Sequence, residues 1–208
     1  MPDYPEFHIV VGSSRCGTTF LSRMLRESMD IALQGEPKFV VPIYRRLHRF
    51  GSLAKPANLR RLIETIHKRQ FFIFLSERLG ISIRPEEIIE RVQEPTYTGV
   101  LYAVFQLVAD KRKYSRLGYT DPIDSYHLPL LARLLPTARF IHIIRDGRDV
   151  ALSLQKFLWG PTNLYSGARY WARVVSTARK DGANLGNRYF ELRVEDLTSH
   201  THKTAAEL

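Results

Sequence analysis

Phe7-His8-Ile9-Val10-Val11-Gly12-Ser13-Ser14-Arg15-Cys16-Gly17-Thr18-Thr19-Phe20-Leu21 joins a β-branched run to a turn with two glycines and then to a helix whose apolar face starts at Leu21, Met24 and Leu25. A strand that feeds a glycine turn and a helix N-terminus aims free backbone N–H groups and a positive dipole end at one point, which suits a phosphate or sulfate. The spacing Gly12-x-x-x-x-Gly17-Thr18-Thr19 is that of a P-loop with threonine where the lysine would stand. A cation does occur in the loop, at Arg15. The anion cradle survives while the group that reaches β- and γ-phosphates is gone, which argues against ordinary ATP or GTP chemistry. Taken alone, the loop also fits a tight strand-to-helix turn with Arg15 in solvent; the second half of the chain separates the two.

The 208 residues are one domain's worth of chain, with 44% apolar residues and a formal net charge of +10. Disorder is excluded by that apolar content, and the charge favours anionic ligands without choosing among them. The basic residues are scattered instead of gathered in a tail, so no nucleic-acid partner is expected. Cys16 is the single cysteine, which rules out an intrachain disulfide or a cysteine-based metal site. The opening Met1-Pro2-Asp3-Tyr4-Pro5-Glu6 has no leader character, and no apolar run reaches membrane-spanning length. A reducing cytoplasm is the default.

Beyond the first helix, residues 44–113 read as broken helices, with Leu59, Leu62, Ile63 and Ile66, then Val100, Leu101, Val104, Phe105 and Val108, at helical spacing. This helical insertion is expected to wall the acceptor side of a site. Arg84-Pro85-Glu86-Glu87 reads as a helix start. Leu128 to Leu135 is a short helix closed by Pro136, and residues from about Leu164 to Lys180 form a long one with Tyr170, Trp171, Val174 and Val175 on its apolar side. Arg139-Phe140-Ile141-His142-Ile143-Ile144 has the near-continuous apolar character of a strand buried in a parallel sheet. It runs into Arg145-Asp146-Gly147-Arg148-Asp149, where Asp146 and Asp149 resemble a capping box. Tyr189 to Val194 is the last strand, and Lys203 to Leu208 is a helix beginning without a stop, as in a chain cut mid-element. The predicted fold is α/β: a P-loop-like parallel sheet flanked by helices.

Two strand-to-helix turns thus fall at strand carboxyl ends, where open parallel sheets hold ligands. One offers amides and Arg15; the other offers Arg145 and, eight residues later, Ser153. An arginine fork with a hydroxyl suits a phosphate dianion. The pair implies a ligand with separated anionic ends, such as a nucleotide phosphorylated at both 5′ and 3′.

Ser14-Arg15-Cys16-Gly17-Thr18-Thr19-Phe20-Leu21 resembles the 5′-phosphosulfate loop, R-S-G-T-[ST], of sulfotransferases that use 3′-phosphoadenosine-5′-phosphosulfate (PAPS). Phe140 to Ser153 resembles their 3′-phosphate motif, with Arg145 and Ser153 at the family's spacing, and Glu191-Leu192-Arg193-Val194-Glu195-Asp196-Leu197 is similar to R-Y-E-D-L. The resemblance covers residues 7 to about 197 and points to the bacterial and tyrosylprotein branch. It implies metal-independent transfer of a sulfuryl group from PAPS, as co-substrate, to an acceptor hydroxyl or amine that the sequence does not identify. By the same resemblance Arg15, Cys16, Gly17, Thr18 and Thr19 hold the 5′-phosphosulfate, and Arg145 and Ser153 the 3′-phosphate. Phe20 stands where some relatives stack an aromatic on adenine, although a core role is preferred for it. Glu36, 21 residues after Arg15, matches the glutamate that serves many members as general base; His127 and His142 are lesser candidates.

The sequence departs from the family pattern at four points. Cys16 replaces a serine, Thr120 stands where many relatives carry a lysine, Val194 replaces an aromatic, and the family's C-terminal section lies beyond Leu208. Arg15 alone, or Lys38, would then face the transferring group. Three competing identities follow: a P-loop kinase or NTPase, a phosphatase built on Cys16, and a non-catalytic nucleotide-binding relative.

Overall fold

A computed structural model describes residues 2–199; the helix start expected at 203–208 lies outside them. Five strands form one all-parallel sheet in the order β2-β3-β1-β4-β5: β1 (Phe7–Gly12), β2 (Ile31–Leu33), β3 (Arg116–Thr120), β4 (Ala138–Ile144) and β5 (Tyr189–Arg193). Every residue of β1 is buried, as its apolar run requires of the central strand of a sheet covered on both faces. Successive side chains take opposite faces. Phe7, Ile9 and Val11 join the larger core, where Phe105 stands edge-on to Phe7 (ring centroids 5.1 Å apart) and stacks on Tyr119 (5.2 Å). Val10 joins a smaller core with Cys16, Leu21, Leu25, Ile143 and Leu197.

The chain winds toward the β2 edge, returns through β3, and then crosses β1 to build β4 and β5. Helix α1 (Thr18–Met29) follows β1 and turns Leu21 and Leu25 inward, as its pattern predicts. Between β2 and β3 come α2 (Val40–Tyr44), α3 (Pro56–His67), α4 (Gln70–Leu79), α5 (Pro85–Arg91) and α6 (Tyr97–Arg112). Helix α6 buries Val100, Leu101, Val104, Phe105 and Val108 against the sheet. At the start of α5 the Glu87 carboxylate accepts from the Arg84 amide at 2.7 Å. Helix α7 (Leu128–Leu134) precedes β4, α8 (Gly147–Leu154) and α9 (Leu164–Gly182) separate β4 from β5, and α10 (Val194–Ser199) follows β5. Among the described residues no helix is long and apolar enough to cross a membrane.

Two local expectations are corrected. Phe20 is not in the core: it lies in the exposed first turn of α1 with 48% of its surface open. Nor do Asp146 and Asp149 form a reciprocal capping box. Asp146 does cap α8, accepting from Arg148 N at 2.8 Å, but Asp149 bonds the Arg145 side chain instead.

Candidate active site

The first turn is shaped by backbone constraints that its sequence meets. A Cβ at Gly12 would lie 2.5 Å from the Ile143 carbonyl oxygen, so β4 approaches the loop only because position 12 is glycine. Gly17 takes φ +96 at the N-cap of α1, and a Cβ there would meet Val194 at 2.9 Å. The small Val194 therefore packs directly against the turn. The amides of the first turn of α1 have no intrahelical carbonyl to bind. Cys16 folds inward with its amide on Ser13 O at 3.2 Å. Burial pushes its thiol up to about 12, away from the thiolate that a phosphatase built on Cys16 would need.

Residues far along the chain pin this turn. The Ser14 amide donates to the Tyr170 hydroxyl of α9 at 3.1 Å, and that hydroxyl donates to Ser14 Oγ at 3.2 Å. Buried Ser125, just beyond β3, accepts from Gly12 N at 2.9 Å and donates to Gly12 O at 3.1 Å. Strand β3 ends opposite Val10; one hydroxyl thus serves both backbone groups of Gly12 on the side where the ladder has run out.

The second turn sits against the first. Trp171 Nε1 donates to Arg145 O at 3.0 Å, and Asp146 N donates to Glu195 at 2.7 Å. Arg148 bonds Asp146 and holds its carboxyl well below the usual carboxylate range. Arg145 donates to Asp149 Oδ2 at 3.2 Å and reaches the Arg15 carbonyl at 3.5 Å. Arg15, at φ +71, sends its side chain across to the second turn, donating to Ser153 Oγ at 3.2 Å with its guanidinium 4.6 Å above the Phe157 ring. The backbone of Arg15 belongs to one turn and its side chain to the other.

Glu36 follows β2 in the loop from Gly35 to Lys38. Its carboxylate pairs with Lys38 Nζ at 2.9 Å, which raises the Lys38 ammonium above its ordinary range. Lys38 takes φ +49, and its amide donates to Asp121 Oδ2 at 3.2 Å, tying the loop to the end of β3. Burial, then the charge of Glu36, pushes Asp121 up to about 6; burial, then Asp121, pushes Asp124 up to about 7. Tyr119 OH donates to Asp124 at 2.7 Å.

Glu36 lines two cavities. One, of about 340 Å³, also touches Thr18, Thr19, Ser22, Gln34 and Thr120 and so connects Glu36 with the head of α1. The other, of about 520 Å³, is lined by Gly35, Glu36, Lys38, Arg69, Phe71 and Phe74. The Thr120 hydroxyl bonds Ser22 Oγ at 2.6 Å. His142 is a core histidine: it bonds Tyr189 OH at 2.5 Å, and burial lowers it to about 4. Neither His142 nor His127 lines these cavities. Among the described residues no cluster of His, Cys, Asp and Glu is arranged to hold a metal ion.

The sequence reading missed Ser125 and took Tyr170 and Trp171 only as part of an apolar helix face, and it gave Asp121 no role in the site. Only Asp121 carried a usable signal there: it immediately follows a strand, at the carboxyl edge where open sheets gather ligands.

A parallel sheet wound in this order, with a glycine turn and an arginine-bearing turn meeting beside its central strand, defines a P-loop-like α/β protein. The chain belongs to the sulfotransferase family, whose model matches residues 8–208. Its fold is similar to that of the sulfotransferase domain from the curacin biosynthetic pathway, at TM-score 0.61 and 19% identity over 98% of this chain and 72% of that one. The sulfotransferase domain of the Synechococcus PCC 7002 olefin synthase gives 0.59 and 21%, over 99% and 73%. Sulfotransferase STF1 of Mycobacterium tuberculosis H37Rv gives 0.54 and 17%, over 98% and 66%. No curated protein sequence matches.

Proposed function

We propose that this chain transfers a sulfuryl group from PAPS to an acceptor hydroxyl or amine, with Glu36 as general base and no metal ion. The observation that carries the reading is the meeting of the two turns: Arg145 reaches the Arg15 carbonyl at 3.5 Å while Arg15 reaches Ser153 at 3.2 Å. Two anion-binding turns in one crevice fit a single ligand charged at both ends. The first-turn amides with Thr18 and Thr19 receive the 5′-phosphosulfate, Arg145 and Ser153 receive the 3′-phosphate, and the exposed ring of Phe20 offers a face to the adenine. Arg15, joined to Ser153, contributes its charge to the 3′ side in this conformation.

PAPS supplies an activated sulfuryl group on a phosphate leaving group. Glu36 takes the proton of the acceptor hydroxyl as that oxygen bonds to sulfur; the bond from sulfur to the phosphate oxygen breaks, and its electron pair stays on the phosphate. Lys38, 2.9 Å from Glu36, places a cation beside this exchange and stands in for the lysine absent at Thr120. The free, buried Cys16 accords with a reducing cytoplasm. A second reading, nucleotide binding without chemistry, draws on Thr120, whose hydroxyl is engaged with Ser22 and brings no charge. Radiolabelled PAPS offered with a panel of hydroxy and amino acceptors, with and without EDTA, separates them. Transfer unaffected by EDTA is expected; tight nucleotide binding with no transfer to any acceptor would favour the second reading.

A further inference from the structure

The 520 Å³ cavity beside Glu36 has an unbalanced charge. Its lining carries Glu36, Lys38 and Arg69. Glu36 and Lys38 neutralise one another, which leaves Arg69 over. The Nε of Arg69 is buried without a hydrogen-bond partner, and no carboxylate among the described residues pairs with its guanidinium. Arg69 is also the N-cap of α4, a helix of 10 residues with no side chain capping its first amides, and Gln70 and Phe71 of that first turn line the same cavity. An unpaired guanidinium and an uncapped helix N-terminus converge on one wall, while Phe71 and Phe74 make the apolar part of it.

We propose that this cavity is the acceptor subsite and that Arg69 selects acceptors bearing a carboxylate. The proposal rests on the sulfuryl-transfer reading for what happens at Glu36, but not for the binding itself. The acceptor's carboxylate bonds Arg69 and the head of α4, its apolar body lies along Phe71 and Phe74, and its hydroxyl faces Glu36. A cavity of this size holds a small organic acid and excludes a folded protein surface. The Arg69 guanidinium gains the anionic partner that the fold does not supply.

The test uses 3-(4-hydroxyphenyl)propanoate and its methyl ester with the whole chain, by calorimetric titration and by sulfate transfer from PAPS. The acid is expected to bind about tenfold to a hundredfold more tightly than the ester, the range for a charge-assisted contact. Arg69→Gln should abolish that preference while leaving ester binding unchanged, and Arg69→Lys should restore part of it. Unaltered melting of both variants certifies their folding. Equal binding of acid and ester, no binding of the acid, or a preference that survives Arg69→Gln would overturn the subsite. Arg69-dependent binding of the acid without sulfate transfer would uphold the subsite and count against sulfuryl transfer.

Discussion

Replacing Arg145 by alanine tests the two-ended ligand most directly. In the structure the Arg145 guanidinium contacts Asp149 at 3.2 Å with both side chains well exposed, 36% and 55%, so that pair contributes at most about 1 kcal/mol. A 3′-phosphate in its place would form a charge-assisted bond worth about 1.5–3 kcal/mol. Allowing for the lost contact to Asp149, the net gain is ~2 kcal/mol, or about thirtyfold in affinity. Isothermal titration with adenosine 3′,5′-bisphosphate and with adenosine 5′-phosphate isolates that contribution. Arg145→Ala should weaken the bisphosphate about thirtyfold and the monophosphate less than about twofold. Asp149→Ala should leave bisphosphate binding intact or improve it. Equal losses for both nucleotides, or no loss for either, would refute the assignment of the second turn to the 3′-phosphate.

Three further outcomes are expected. Glu36→Gln should reduce sulfate transfer by about 10²–10⁴ with nucleotide affinity unchanged, and undiminished single-turnover transfer would remove Glu36 as the base. Ser125→Ala strips both backbone groups of Gly12 of their partner in a buried position and should destabilise the fold by ~2–3 kcal/mol, lowering the melting temperature by about 4–10 °C; a melt matching the parent would show that the bond is dispensable. Asp124 is held protonated when folded, up to about 7, against 3.8 as its ordinary value. The folded state therefore binds more protons across that window, and stability falls as pH rises from about 4 to 7. Urea titrations of Asp124→Asn should show a flatter pH dependence, and identical profiles for variant and parent would dismiss the buried acid.

Strands β1 and β4 and the two turns were legible because each is a local pattern: an apolar run, a glycine spacing, an arginine at a strand tip. Helix α6 was legible for the same reason. The three-residue strand β2 was not, since Ile31-Ala32-Leu33 is too short to show a period and becomes a strand by pairing with Leu117 and its neighbours. Phe20 misled because an aromatic beside Leu21 looks like core, while the phase of α1 points it outward. Asp149 misled because a carboxylate in a first turn suggests capping, whereas the Arg145 guanidinium four residues earlier engages it instead. The contacts that hold the crevice together, Ser125 on Gly12 and Tyr170 on Ser14, join residues 113 and 156 positions apart. An isolated serine or tyrosine gives no local sign of such a partner. The orphaned nitrogen of Arg69 was equally invisible, since a lack of partners appears only once every neighbour is in place.

The central position of β1 has a consequence for how the molecule comes into being. Phe7 is made more than a hundred residues before Leu117 and Ala138, its neighbours in the sheet. During synthesis this apolar, central strand must wait, unpaired, until β3 has emerged, a high-contact-order arrangement that slows assembly and leaves a sticky segment open to chaperones and to aggregation. Circularly permuted versions that place this strand after β3 should mature faster on the ribosome and yield more soluble protein.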